Sequence, residues 1–226
     1  MNRWMVFFLV VLTLGLAILL ALLGWMTMGS NLLGWFLFIT GAVYFFGVIL
    51  VYWIRRIQFW KPQAGGGMAR EEQGDQSFWL ITLDMIFAFY VPPIEFLLLP
   101  ALLPRTDLME SLALHIVIFG SLLFLWARRT LGKFYAGHVS IVEGQPLVQS
   151  GPYRFIRHPA YAGYLLMSFG ISFGYSSLFG IAAIVLLLLP AMIHRLRLED
   201  GLLADHFGEE FRKYAAGTKC LLPGIW

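Results

Sequence analysis

The chain has 226 residues, of which 59% are hydrophobic and 13% charged, with a mean hydropathy of +0.76. Soluble domains carry roughly one-quarter charged residues, so this sequence lacks the polar surface of a water-soluble fold. The net charge of +3 is small, and the positive residues lie beside apolar runs rather than along a soluble face, which argues against nucleic acid as a partner.

Apolar runs of about twenty residues, enough to cross a ~30 Å hydrocarbon core as helices, recur along the chain. Six spans are predicted, near 4–28, 31–54, 78–100, 108–127, 160–175 and 177–194. The first is too long for a signal-peptide core and has no small-residue cleavage site, so it reads as a retained transmembrane helix. Every Lys and Arg except Arg105 falls at the N-terminus, after span 2, after span 4 or from Arg154 onward. The positive-inside rule therefore places these segments and both termini in the cytoplasm. Read as one helix, 160–194 would be too long and would send the basic tail outside. Gly174 and the Ser176–Ser177 pair mark a turn, and a tight hairpin with short legs results. The expected fold is an all-α polytopic transmembrane helical bundle, one membrane domain over 1–226.

Within the spans, Asp84, Glu95 and His115 are ionisable groups at membrane depth, where such groups are costly. Glu95 follows Pro92-Pro93, so water or a freed backbone N–H is within its reach. Phe and Trp are read as lipid-facing surface or interface anchors. Cys220 is the single cysteine, which leaves no intrachain disulfide and no thiolate cluster. His138 and His206 lack metal-ligand spacing, and no metal is expected.

The segment Gly151-Pro-Tyr-Arg-Phe-Ile-Arg-His-Pro-Ala-Tyr-Ala-Gly163 carries the most information. Gly-Pro makes a turn, and Pro159 pushes His158 out of the helical region, at the mouth of span 5. Arg154, Arg157 and His158 concentrate donors at the membrane surface, either as a basic anchor to lipid phosphates or as an anion-facing loop. A second cluster, Arg195-Leu-Arg-Leu-Glu199-Asp200, precedes Phe207-Gly-Glu-Glu-Phe-Arg-Lys-Tyr214. Arg195 and Glu199 share one helix face, the spacing of an ordinary surface ion pair. Leu196, Leu203, Phe207, Phe211 and Tyr214 recur as one apolar stripe, which predicts an amphipathic helix in the tail.

Taken in order, Gly-Pro-Tyr-Arg-x-x-Arg-His-Pro-x-Tyr-x-Gly, a hydrophobic hairpin, Arg-x-Arg-x-Glu-Asp, Phe-Gly-Glu-Glu-Phe-x-x-Tyr and a closing Leu-Leu-Pro-Gly-Ile-Trp resemble the isoprenylcysteine carboxyl methyltransferase family and the related phospholipid methyltransferases. The stretch Leu131-Gly-Lys-Phe-Tyr through Gly144-Gln-Pro-Leu-Val148 fits the approach to the same loop. The resemblance covers about 126–226, and 1–125 match only as generic membrane helices. It implies a membrane enzyme that uses S-adenosylmethionine, held by Val148, Gly151, Tyr153, Arg157, His158 and Tyr161 together with Glu199 on a cytoplasmic C-terminal helix. Arg195 would face the acceptor, and Arg195 and Glu199 are the expected catalytic pair. Asp200 stands where the family commonly has a second glutamate, and Lys219-Cys220 where an arginine is frequent.

Methyl transfer from a sulfonium needs no metal, only donor and acceptor held at attack distance. A carboxylate acceptor needs an Arg to aim it, whereas an amine or hydroxyl needs proton removal. The site's place at the ends of apolar helices points to a lipophilic small molecule or lipid as substrate, among membrane lipids. Three other readings stand beside this one: a phospholipid amine N-methyltransferase, an NADPH-dependent sterol or enone reductase, and a transporter using Asp84, Glu95 and His115. The Glu199-Asp200 pair would repel a 2′-phosphate, which weighs against the reductase.

Overall fold

The computed structural model describes residues 14–15, 18–25, 77–99, 103–104, 106–135, 141 and 144–221. The chain divides into two compact units, Met1–Gly65 with Arg105–Ser111, and Gly66–Pro104 with Leu112–Trp226. In the first, 18–25 are helical and Leu20 is buried. There too Thr106 starts a helix, its Oγ1 accepting from Met109 N at 3.2 Å, and Asp107 and Glu110 suit the positive end of the helix dipole.

The described residues are all-α: helices α1 (Ser77–Leu98), α2 (Asp107–Leu131), α3 (Pro159–Gly174), α4 (Leu178–Phe207) and α5 (Glu209–Gly217). The first four fall where four spans are expected. The expected spans 4–28 and 31–54 lie largely or wholly outside the described residues. Among those described, α2 and α4 are long and apolar enough to cross a membrane. The 16 residues of α3 reach only about 24 Å, so the first leg of the hairpin is short, as the sequence suggests.

Small residues set the packing of α2 on α3. A Cβ on Gly163 would lie 2.6 Å from the Gly120 carbonyl oxygen, and one on Gly170 would meet Val117 and the Ala113 carbonyl oxygen at 2.8 and 3.1 Å. The two backbones therefore touch at Gly120–Gly163 and again near Ala113–Gly170, a close antiparallel crossing that larger side chains would hold apart.

The turn between α3 and α4 lies at Tyr175–Ser177, with Ser176 at φ 51°. It is pinned by α1. Glu95, buried, accepts from the Ser177 hydroxyl, from Leu178 N at 3.0 Å and from Phe179 N at 3.2 Å. Ser177 Oγ in turn accepts from Gly180 N at 2.9 Å. An acid at the first turn of α4 satisfies N–H groups that have no partner inside the helix and matches its dipole. Of the three ionisable residues singled out in the expected spans, Glu95 is thus a helix cap, and His115 is exposed. The side chain of Asp84 is outside the described set.

Two features of the tail differ from expectation. The helix that leaves the turn does not stop near 194; it runs on to Phe207, passing through a wider π turn at Ile184–Leu188 just before Pro190, which has no N–H to give the ladder. Arg195 and Glu199 therefore ride on the continuation of the second hairpin leg. The stripe from Leu196 to Tyr214 is also not one helix, because Gly208 at φ 56° ends α4 and starts α5.

Candidate methyltransferase site

The core beneath the site is apolar: Ile156, Ala162, Tyr164, Leu188, Met192 and Leu196 are buried together, with Cys220 and Leu221 among them. Above it, the loop 149–158 is laid down by its backbone. Gly151 sits at φ 60°, and a Cβ there would come within 2.7 Å of Thr130 Oγ1, so glycine serves both the turn and the close approach. The Gly151–Arg154 turn then buries Pro152 and Tyr153. His158 closes the loop at φ −124°, ψ 60°, and Pro159 opens α3.

The C-terminal segment clamps this loop along its length. Tyr214 donates its hydroxyl to the Tyr153 carbonyl at 2.6 Å. Gln149 Nε2 reaches Glu210 at 3.3 Å. Ile156 pairs with Lys219 in a parallel bridge, and Arg157 N and His158 N donate to the carbonyls of Lys219 and Cys220 at 2.8 and 3.0 Å. Backbone atoms carry these two hydrogen bonds, while the Cys220 side chain is buried in the core.

Arg157 uses its guanidinium inside the protein. It donates to Asp200 Oδ2 through Nε and Nη2, and to the Ala215 and Thr218 carbonyls at 3.1 and 2.6 Å. His158, 3% exposed, lies with Nε2 2.8 Å from Asp200 Oδ1 and Nδ1 4.0 Å from Glu199 Oε1. Tyr161 donates its hydroxyl to Glu199 Oε2 at 3.0 Å and accepts from Arg195 Nε at 2.7 Å. Its ring stands edge-on to His158, with centroids 5.8 Å apart. Glu199 and Asp200, adjacent on α4, thus address different partners, as neighbours about 100° apart on a helix do.

Their environments also differ. Burial works against the Asp200 carboxylate, yet the His158 hydrogen bond and the Arg157 charge outweigh it and hold its pKa below the ordinary value. Burial pushes the Tyr153 phenol well up, and Glu199 nearby adds to this. Tyr135 is raised by burial first, with Arg128 opposing and Glu199 adding. Both phenols therefore lie within electrostatic reach of Glu199. Arg128 also sits over the Tyr135 ring, 5.2 Å from its centroid.

Of the residues singled out from sequence, Tyr153, Arg157, His158, Tyr161, Arg195 and Glu199 come together here, and Gly151 shapes the loop. Val148 lies in the irregular stretch leading into that loop. Arg154 stays outside, its guanidinium 5.0 Å from the centre of the exposed Phe155 ring. Two participants had no assigned role. Asp200 was readable in principle, because Arg157 and His158 need a counter-anion. Tyr135 closes the Leu131-Gly-Lys-Phe-Tyr stretch that fits the approach to the loop, but nothing in its spacing gave it a role, since it reaches the site only through the fold.

His158, Asp200 and Cys220 also bring three potential metal-ligand atoms within 4.8 Å of one another. The arrangement is that of an ion pair and its packing. Arg157 already holds Asp200, and burial, helped by Asp200, pushes the Cys220 thiol up to about 11.

The phospholipid methyltransferase family matches residues 109–210. The probable protein-S-isoprenylcysteine O-methyltransferase of Oryza sativa subsp. indica is 29% identical, over 63% of this chain and 75% of that protein. The cobalt-zinc-cadmium resistance protein CzcN of Cupriavidus metallidurans is 37% identical, over 42% of this chain and 44% of its own length. The fold resembles that of the eukaryotic intramembrane Ras methyltransferase ICMT, with a TM-score of 0.60 at 21% identity, over 92% of this chain and 73% of that one. Motif order, fold and relatives converge: the chain is similar to the phospholipid methyltransferases and to the protein-S-isoprenylcysteine O-methyltransferases.

Proposed function

We propose that the protein moves a methyl group from S-adenosylmethionine to a lipophilic acceptor, a carboxylate of the isoprenylcysteine kind. The observation that carries this reading is the cluster in which the His158 loop and α4 share hydrogen bonds through Asp200, Tyr161 and Glu199. The residues fit such a donor. Glu199 is 32% exposed at its side chain, so a carboxylate backed by Tyr161 still presents a face for the hydroxyls or the ammonium of a nucleotide. Tyr135 and Tyr153 lie within electrostatic reach of that carboxylate.

When bound, the donor supplies an electrophilic methyl on a sulfonium. The chain's own work is holding and aiming. Val148, Gly151 and Tyr153 shape the loop side, and Arg157 fixes that loop onto α5 and Asp200. His158 is oriented by Asp200, and Glu199 faces the donor from α4. Arg195, buried beneath Tyr161, is the cation that aims a carboxylate acceptor. Such an acceptor is already nucleophilic, so no base is required.

A multi-pass protein with both termini in the cytoplasm suits this division, the polar donor arriving from water and the acceptor from the bilayer. The match to phospholipid methyltransferases over 109–210 favours a headgroup amine as the second reading. Incubation with radiolabelled donor and a membrane lipid extract separates the two by whether a base-labile ester or a methylated headgroup becomes labelled. Glu199→Ala and His158→Ala are expected to lower S-adenosylhomocysteine affinity more than about 100-fold while the protein stays folded, measured by calorimetry. Undiminished affinity in both variants, or tighter binding of NADPH than of S-adenosylhomocysteine by the wild type, would refute the donor assignment.

A further inference from the structure

We propose that the Tyr161 hydroxyl, which the resemblance put among the donor-holding groups, is instead a positioning group that ties Arg195 to Glu199, so that it governs turnover rather than donor affinity. This rests on the donor and acceptor roles assigned above to Glu199 and Arg195. A phenol has one O–H to give and lone pairs to accept with. Here the O–H goes to Glu199 Oε2 at 3.0 Å, and Arg195 Nε donates to the oxygen at 2.7 Å. Each of these bonds has a charged group at one end, which makes both stronger than neutral hydrogen bonds.

The geometry explains why this matters for aim. A guanidinium is a rigid planar fork, so fixing Nε on the phenol fixes where its remaining N–H groups can point. Tyr161 stands on the first turn of α3, while Arg195 and Glu199 are one turn apart on α4. The phenol thus couples the two hairpin legs at the level of the site. Its ring is held against the buried core and edge-on to His158, so the hydroxyl has little freedom to wander. With its proton committed to Glu199, Tyr161 acts on the acceptor through Arg195.

The test uses the full chain in detergent micelles, with N-acetyl-S-farnesylcysteine and a membrane lipid extract as acceptor probes. Tyr161→Phe should lower kcat by about 10–100-fold, the loss of one hydrogen bond to charged groups, while S-adenosylhomocysteine affinity moves by less than about threefold. Combined with Arg195→Gln, it should add little further loss, because the two act as a unit. A stability penalty is read separately from the melting midpoint with and without S-adenosylhomocysteine. If the Phe variant does not fold, Arg195→Lys keeps a cation on α4 but loses the Nε donor to the phenol, and should lower kcat while S-adenosylhomocysteine affinity moves by less than about threefold. Full turnover in Tyr161→Phe or in Arg195→Lys, or affinity loss that matches turnover loss, overturns the positioning role alone. Wild-type protein that binds no S-adenosylhomocysteine, or labels neither probe, overturns the donor and acceptor assignment and this role with it.

Discussion

The two ends of the α3–α4 hairpin use the same chemistry for opposite purposes. At the turn, Glu95 is 7% exposed and is met by the Ser177 hydroxyl and two backbone N–H groups. At the other end, Glu199 and Asp200 are 32% and 24% exposed, with His158, Arg157 and Tyr161 on their protein side. A carboxylate surrounded by fixed donors is a structural pin; one held from behind and open in front can still meet a ligand. The difference lies in exposure and in the kind of partner, since both are acids against the same pair of helices.

Glu95→Ala gives the largest effect that distinguishes the ends. It leaves buried donors unmatched and removes a helix cap, a loss of roughly 2–4 kcal/mol of stability. Thermal unfolding should show this, and the folded fraction should bind S-adenosylhomocysteine as the wild type does. Glu95→Gln, which keeps an acceptor oxygen, should lose less. If Glu95→Ala instead abolished binding at unchanged stability, the division between pin and site would fail.

How much of this could be read from the sequence depends on what carries each contact. The order of motifs foretold that the His158 loop and the Glu199 helix meet, and Gly174 with Ser176–Ser177 foretold the turn. Glu95 was half legible: Pro92-Pro93 beside it signalled freed backbone groups, but its true partners lie more than 80 residues away. The zipper between 149–158 and 210–220 was not legible, because it runs largely through carbonyls and N–H groups that every residue owns. The stripe Leu196–Tyr214 misled for a related reason. Its spacing continues through Gly208, and the positive φ that breaks the helix leaves no mark on apolar periodicity.

Asp200 offers an intermediate effect through pH. Its carboxyl is held below the ordinary value of 3.8 by His158 and Arg157, against the opposing pull of burial. A group with a lowered folded-state pKa stabilises fully above its unfolded pKa, and that contribution is lost as pH falls through the folded pKa. The acid limb of thermal stability below about pH 4 should therefore be shallower in Asp200→Asn than in the wild type, and the variant should already be less stable near neutrality. Identical acid limbs would mean that the ion pair does not form in solution.

The smallest effect sharpens the comparison most. Lys219 is exposed, and its contribution is the carbonyl that accepts from Arg157 N. Lys219→Ala keeps that carbonyl, so stability should change by less than about 0.5 kcal/mol and S-adenosylhomocysteine affinity should stay within measurement error. Arg157→Lys, by contrast, keeps the charge but loses the fork that spans Asp200, Ala215 and Thr218. A silent Lys219→Ala beside a damaging Arg157→Lys would place the strength of the clamp in one guanidinium and in the backbone. A Lys219→Ala variant as impaired as Arg157→Lys would move it to the side chains of the C-terminal segment.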